Sequence, residues 1–289
     1  MANRCHIRSI SLPSRSHPAT LKIQEELNKL RTLEASSTSA LVKISNGLSG
    51  LEELYNCMDE LLSLPSTQQT LSLHQHEKWV NELLDGSVNL LDICGATRDV
   101  ISKFKENVGD LQSVLRRRKG GLCIESNISN YICSRKKMNK DAKKLLAAIK
   151  KMVNNSGASA LLDKDHQLSS MISVLREVNI MSISIFQSLL LLLSTPVLKS
   201  RPSRWSLVSK FMHKGVVACQ EKHQNMELEN VDITISAISS EEADLEKMQI
   251  AHQVLKALEI SIEDLDNGLE SMFRRLIKTR ASLLNTISH

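Results

Sequence analysis

Residues 41–62 read LVKISNGLSGLEELYNCMDELL, and their apolar side chains recur every three or four positions. The series is Leu41, Ile44, Leu48, Leu51, Tyr55, Met58 and Leu62. This spacing places the apolar side chains along one face of an α-helix. Because one apolar seam on a long helix is buried only against partner helices, the stretch predicts a helical bundle.

Two other stretches repeat the pattern over greater lengths. The first contains Val80, Leu83, Leu90, Cys94, Ile101, Phe104, Val108, Leu111 and Leu115. The second contains Leu245, Met248, His252, Leu255, Leu258, Ile262, Leu265, Leu269, Met272, Leu276, Leu283 and Ile287. We therefore expect an all-α fold, an elongated antiparallel bundle with long, coiled-coil-like helices.

The composition agrees with this prediction. Aromatic residues make up only 3% of the 289 residues, which argues against a β-rich fold. Five prolines leave long stretches in which nothing interrupts a helix. We predict a flexible Arg/Ser-rich tail over 1–17, then one helical-bundle domain over 18–289 with a basic linker near 196–204. The expected helices cover 19–64, 75–119, 125–153, 160–193, 205–219 and about 239 to the end, with a connector at 65–74.

Positive charge is concentrated in residues 116–151, which carry twelve basic residues and two acidic ones. The candidate interaction surface consists of Arg116, Arg117, Arg118, Lys119, Arg135, Lys136 and Lys137. A solvated basic face or pairing with acidic parts of the same chain is the structural alternative. An anionic membrane surface could use the same charges. Nucleic acid is disfavoured because Tyr131 is the one aromatic residue in this stretch and no reading motif is present.

Motifs of catalysis and metal binding are absent from the sequence. It contains no phosphate-binding glycine loop, no Gly-x-Ser-x-Gly, no His-Glu-x-x-His and no Cys-x-x-Cys. The nearest metal-like set is His213, Cys219 and His223, which lacks an evident fourth ligand and is better interpreted as surface or packing residues. We therefore expect a non-enzyme, with no catalytic residues, no cofactor and no metal site.

The apolar run at residues 180–193 is 14 residues long. About 20 residues are needed to cross a bilayer, so we expect a fully buried bundle helix there. Six scattered cysteines predict reduced thiols in an intracellular, cytoplasmic protein. The Arg/Ser-rich N-terminus leaves a plastid location open, and the basic stretch leaves the membrane periphery open. Ser9 and Ser11 follow arginines and are candidate phosphosites.

Several short segments occur together in a specific order along the chain. They are RSISLPSRSHP at 8–18, LY at 54–55, LLSLP at 61–65, LLDGS at 83–87, LLDIC at 90–94, LRRR at 115–118, SRKK at 134–137, WSLVSK at 205–210, RRLIKTR at 274–280 and LLN at 283–285. In these segments the chain resembles a plant-specific family of unknown function related to the BYPASS root-to-shoot signalling proteins. The resemblance implies an all-helical protein without assigned enzyme activity and with a role in root and shoot development. We therefore expect a protein that acts through unidentified protein partners; a peripheral membrane adaptor that uses the basic stretch 116–151 is the alternative.

Overall fold

The apolar seams of the sequence form long helices in the computed structural model, which describes residues 17–117, 121–155, 166–197, 226–238 and 245–288. Within these ranges every regular element is an α-helix. The helices are α1 (Pro18–Ala35), α2 (Ala40–Leu62), α3 (Pro65–Leu73), α4 (Lys78–Arg117), α5 (Gly121–Asn155), α6 (His166–Leu193), α7 (Met226–Ile238) and α8 (Leu245–Ser288). The predicted all-α helical bundle is confirmed.

Helices α4 and α8 run antiparallel and are the longest elements of the bundle. At 1.5 Å per residue they are about 60 and 66 Å long. Arg98 of α4 forms an ion pair with Glu270 of α8. Nearer the start of α4, the Leu84 carbonyl accepts a hydrogen bond of 3.0 Å from Arg280. Earlier positions on α4 therefore meet later positions on α8.

The other helices continue this alternation of direction. The Asp59 carboxylate of α2 accepts a hydrogen bond of 2.6 Å from Thr279, and Leu48 lies against Gly268, so α2 runs parallel to α8. Helix α5 folds back along α4, with the Phe104 and Tyr131 rings 6.0 Å apart. As a result α1, α4 and α6 point one way, while α2, α5 and α8 point the other.

A single connected core joins all eight helices. Helix α8 contacts α2, α3, α4 and α7, so its apolar seam is covered on more than one side. Its buried seam consists of Leu255, Leu258, Ile262, Leu265, Leu269, Met272, Leu276 and Leu283. On the facing side of α4, Cys94 is fully buried and its thiol donates to the Leu269 carbonyl at 3.6 Å. The seam spacing read from the sequence thus identifies the buried faces of both helices.

The single helix predicted over residues 19–64 is wrong, because α1 and α2 are separate helices. They are broken at residues 36–39, which read Ser-Ser-Thr-Ser. Such hydroxyls compete with the helical backbone for hydrogen bonds. The Ser39 hydroxyl instead caps α2 by accepting from the Val42 N–H at 3.4 Å. The chain reverses there, and α1 packs antiparallel against α2, with Lys22 and Glu60 paired at 2.8 Å.

The connector predicted at 65–74 is largely helical. Pro65 begins α3, a position where its fixed φ and missing N–H suit a first helical turn. Residues 226–238, for which no helix is predicted above, form α7. The N-terminal tail up to residue 16, nearly all of the basic linker, the helix predicted at 205–219 and the expected start of the last helix near 239 lie outside the described residues. His17, the last residue of the predicted tail, is the N-cap of α1.

The apolar stretch of helix α6 is longer than the 14-residue run noted in the sequence, and the helix is less buried than predicted. Its stretch Leu168–Leu193 is long and apolar enough to cross a membrane by length and composition, and half of that stretch is buried inside the bundle. The helix contacts α1, α2, α4 and α5, as a core helix does. The prediction of full burial is wrong, since Ile180 and Leu191 are more than half exposed.

We expect the close approach of α1 to α2 to depend on Gly50. A Cβ at this position would lie 2.5 Å from Cδ2 of the buried Leu30, whereas a Cβ at the mid-helix Gly109 would meet nothing within 4 Å. Gly109→Ala should therefore raise the free energy of unfolding by about 0.5–1 kcal/mol. Gly50→Ala should be less stable than Gly109→Ala by about 1–3 kcal/mol, because the core must shift. Urea unfolding followed by circular dichroism measures both, and equal stability of the two variants would contradict this packing.

Candidate functional site

The predicted basic surface divides into exposed and buried residues. Arg116 and Arg117 are exposed in the last turn of α4, and Lys136 and Lys137 are exposed on α5. Arg118 and Lys119, together with the candidate phosphosites Ser9 and Ser11, lie outside the described residues. Arg135 departs from the prediction, since its side chain is fully buried.

The Arg135 guanidinium is enclosed by groups from three helices, α4, α5 and α7, and from the end of α6. It forms a forked pair with Asp232 of α7, with Nε at 3.1 Å from Oδ1 and Nη2 at 2.9 Å from Oδ2. Nη2 also lies 3.5 Å from the Thr195 carbonyl, just after α6. Tyr131 donates its hydroxyl proton to Asp232 Oδ1 at 2.9 Å, and the Phe104 ring lies 5.8 Å from the guanidinium. This network ties α4, α5, α7 and the end of α6 together.

The buried pair is structural rather than an accessible contact surface. Both of its side chains are at most 1% exposed. Two charges removed from water are retained only when they are closely paired and hydrogen-bonded, as they are here. Burial, followed by the nearby Asp232 carboxylate, raises the pKa of Tyr131 well above its ordinary value. Sequence reasoning missed Asp232, although its spacing from Leu228 and Ile235 places it on the apolar face of the helix, where a carboxylate signals a buried partner.

The exposed side of α5 carries the remaining positive charge. We call this surface the α5 lysine face; it consists of Lys136, Lys137, Lys140, Lys143, Lys144, Lys150 and Lys151, all exposed. At 100° per residue these seven positions fall within an arc of about 140°, on a strip about 22 Å long. The buried positions Tyr131, Arg135, Met138 and Ala142 lie on the opposite side of the helix.

Little negative charge on α5 opposes the lysine face. Asp141 forms an ion pair with Lys144 at 3.0 Å, and the Lys144 hydrogen bond lowers the pKa of Asp141. Within the described part of the chain, the other six lysines form no ion pair with a carboxylate within 4 Å. A strip of exposed ammonium groups with no aromatic side chain among them favours contact with an anionic surface.

The described residues offer little catalytic or metal-binding chemistry. They contain no group of three or more His, Cys, Asp or Glu that could hold a metal ion. Burial raises the pKa of the Cys94 thiol to about 12, which removes its nucleophilic form near neutral pH. The set of His213, Cys219 and His223 lies outside the described ranges.

Comparison with family models identifies the family of the chain. The model described as Protein BPS1 matches residues 47–286, which covers most of the chain and includes α5, α7 and nearly all of α8. The chain therefore belongs to the BPS1 (BYPASS1) family, and the BYPASS-related resemblance noted in its segments is confirmed. No curated protein and no solved structure matched the chain in the other two comparisons.

Loss of the Arg135 guanidinium should destabilise the bundle strongly. Arg135→Met leaves the Asp232 carboxylate buried without its partner, which costs about 3–5 kcal/mol. The double variant Arg135→Met/Asp232→Leu removes both charges and should recover most of that loss. Lys136→Met, next to Arg135 but exposed, should change stability by less than about 0.5 kcal/mol. Urea unfolding ranks these variants, and equal losses for Arg135→Met and Lys136→Met would contradict the buried network.

Both tyrosines of the chain should resist ionisation while it is folded. Burial raises the pKa of Tyr55, whose hydroxyl lies 3.2 Å from Ser182 Oγ, to about 12, and raises that of Tyr131 further. The unfolded value is about 10. Because the folded-state pKa values are higher, this contribution to stability is complete below pH 10 and is lost as pH rises from about 10 through 12. Absorbance at 295 nm should show little tyrosinate at pH 10.5 in the folded protein and a large signal in urea; similar signals would contradict the burial.

Proposed function

We propose that this member of the BPS1 family is a non-enzymatic helical protein that acts through protein partners in plant root and shoot development. The observation that carries the proposal is the α5 lysine face, a broad strip of exposed lysines on which Lys144 alone pairs with a carboxylate among the described residues. The family relation supports a BYPASS-type role.

The chemistry of the lysine face defines the kind of partner. Its ammonium groups suit a protein surface rich in Asp and Glu, and exposed contacts of this type mainly govern association rate and selectivity. Binding should weaken as salt is raised, since the Debye length falls from about 10 Å at 0.1 M to about 3 Å at 1 M. The rigid core behind α5, including the Arg135–Asp232 pair, keeps the strip straight for such a contact.

Charge reversal on α5 tests the proposal. Lys140→Glu/Lys143→Glu alters the centre of the face, and Lys247→Glu/Lys256→Glu is the matched control on exposed positions of α8. Tagged proteins purified from root and shoot tissue should retain the same partners in the wild type and the control. The α5 variant should lose the partners that are also released by salt.

The developmental part of the proposal is tested in plants that lack this protein. The wild type and the α8 control should restore root and shoot growth, whereas the α5 variant should not. Full restoration by the α5 variant, together with an unchanged set of partners, would contradict the proposal.

Since six scattered cysteines favour reduced thiols, we also propose a cytoplasmic location for the protein. Cell fractionation of the same tissue tests this proposal.

An anionic membrane surface is the second candidate partner of the lysine face. The specific observation that favours it is the absence of aromatic side chains among seven exposed lysines, which is typical of electrostatic adsorption to lipid headgroups. Each lysine near such a surface contributes about 1 kcal/mol. Co-sedimentation tests this candidate with two kinds of vesicle, phosphatidylcholine alone and phosphatidylcholine mixed with phosphatidylserine. Binding to the mixed vesicles only, and its loss in the α5 variant, would support the candidate. No binding to either kind of vesicle would exclude it.

A further inference from the structure

A cavity of about 230 Å³ lies where the α1–α2 corner meets α6. Its walls include Leu30 and Leu33 of α1, Ile44 of α2, and Ile185 and Leu192 of α6. It is separate from the α5 lysine face, and most of its α1 and α2 wall precedes residue 47, where the match to the family model begins. The cavity therefore combines α6, which lies within the matched region, with α1 and the start of α2, which precede it.

The sequence explains why space remains at this corner. Gly47 is buried on α2, and a Cβ there would already lie 3.3 Å from Ile185, so the backbone of α2 approaches α6 closely at one wall of the cavity. Toward the corner, small side chains follow at Ala40 on α2 and at Ser184 and Ser188 on α6. Small residues facing the break between α1 and α2 leave an apolar hollow that opens to solvent.

Four polar side chains line the cavity beside its apolar walls: Glu34, Lys43, Ser184 and Ser188. The Glu34 carboxylate accepts a hydrogen bond of 2.7 Å from the Ser184 hydroxyl, and it is exposed to solvent. Lys43 is half-buried, and the one described contact of its ammonium group is the Glu34 carbonyl at 3.4 Å. No carboxylate of the described residues lies within ion-pair distance of Lys43. The Lys43 charge is thus left available at the rim of an apolar hollow.

We propose that this corner cavity binds a small amphipathic anion, with an apolar body inside the cavity and a carboxylate paired with Lys43. An apolar pocket with a few convergent polar groups is the usual form of a small-molecule site. An anionic end group fits the mouth because it meets Lys43. The nearby Glu34 carboxylate would repel a second negative charge, so the ligand should carry a single one. This inference is independent of the function proposed for the lysine face.

Titration calorimetry of the full chain with sodium octanoate, 1-octanol and octylammonium chloride tests the ligand class. Octanoate should bind to one saturable site more tightly than octanol, and octylammonium should bind least. Lys43→Gln should weaken octanoate binding by about fivefold to tenfold and leave octanol binding unchanged. Tighter binding of octylammonium than of octanoate, or equal loss of octanoate and octanol in Lys43→Gln, would overturn the proposal.

A pair of serine variants tests the location of the site. Ser188→Leu places an apolar side chain into the cavity, whereas Ser173→Leu makes the same change at an exposed position of α6 about 22 Å away. Ser188→Leu should weaken octanoate binding by about tenfold or more, and Ser173→Leu should leave it unchanged. Circular dichroism checks that both variants fold. An equal effect of the two variants on octanoate binding, or no saturable binding of octanoate to the wild type, would contradict the proposal.

Discussion

The structure depends on burying the apolar seam of α8. A 44-residue helix with such a seam is unstable alone in water, because helices derive most of their stability from packing. Helices α2 and α4 cover it from two sides, and the ion pair of Arg98 with Glu270 and the hydrogen bond of Thr279 to Asp59 fix their register. Once these three helices are fixed, α6 fills the space beside α2 and α4, and α5 closes over α4 and α6. The outward faces, including the α5 lysine face, follow from this arrangement.

The seam spacing was sufficient to predict the fold class and most buried faces. Leu255, Leu265 and Leu276 are buried as their spacing indicates, because a three–four repeat determines a helix face without knowledge of its partner. The break between α1 and α2 was not predicted, since a run of weak helix formers allows either a continuous helix or a turn and the choice depends on tertiary packing. The exposed Ile180 and Leu191 likewise depend on which sides of α6 its neighbours cover, which composition does not specify.

The candidate sites were predictable in part. Charge counting located the basic stretch on α5, but it could not separate Arg135 from its neighbours. Helix phase could have done so, because Arg135 falls on the same face as Tyr131 and Met138. Its partner Asp232 is 97 residues away, and such pairings require the three-dimensional arrangement. The corner cavity was not predictable, since it results from the angle at the α1–α2 break and from small residues on two helices that are distant in sequence.

A buried seam and an exposed charged face give α5 two roles, since one side holds the bundle together and the other is available to partners. Because α5 packs on α4, and α4 on α8, both roles depend on the packing of α8 against α4. We therefore expect these two helices to form the most stable part of the molecule. Native-state hydrogen exchange tests this directly. Backbone amides in the middle of α8 and in the facing part of α4 should exchange at the same slow rate, through global unfolding alone. Exchange of the α8 amides through a lower-energy opening, while α4, α5 and α6 remain protected, would contradict the central role of the α8 seam.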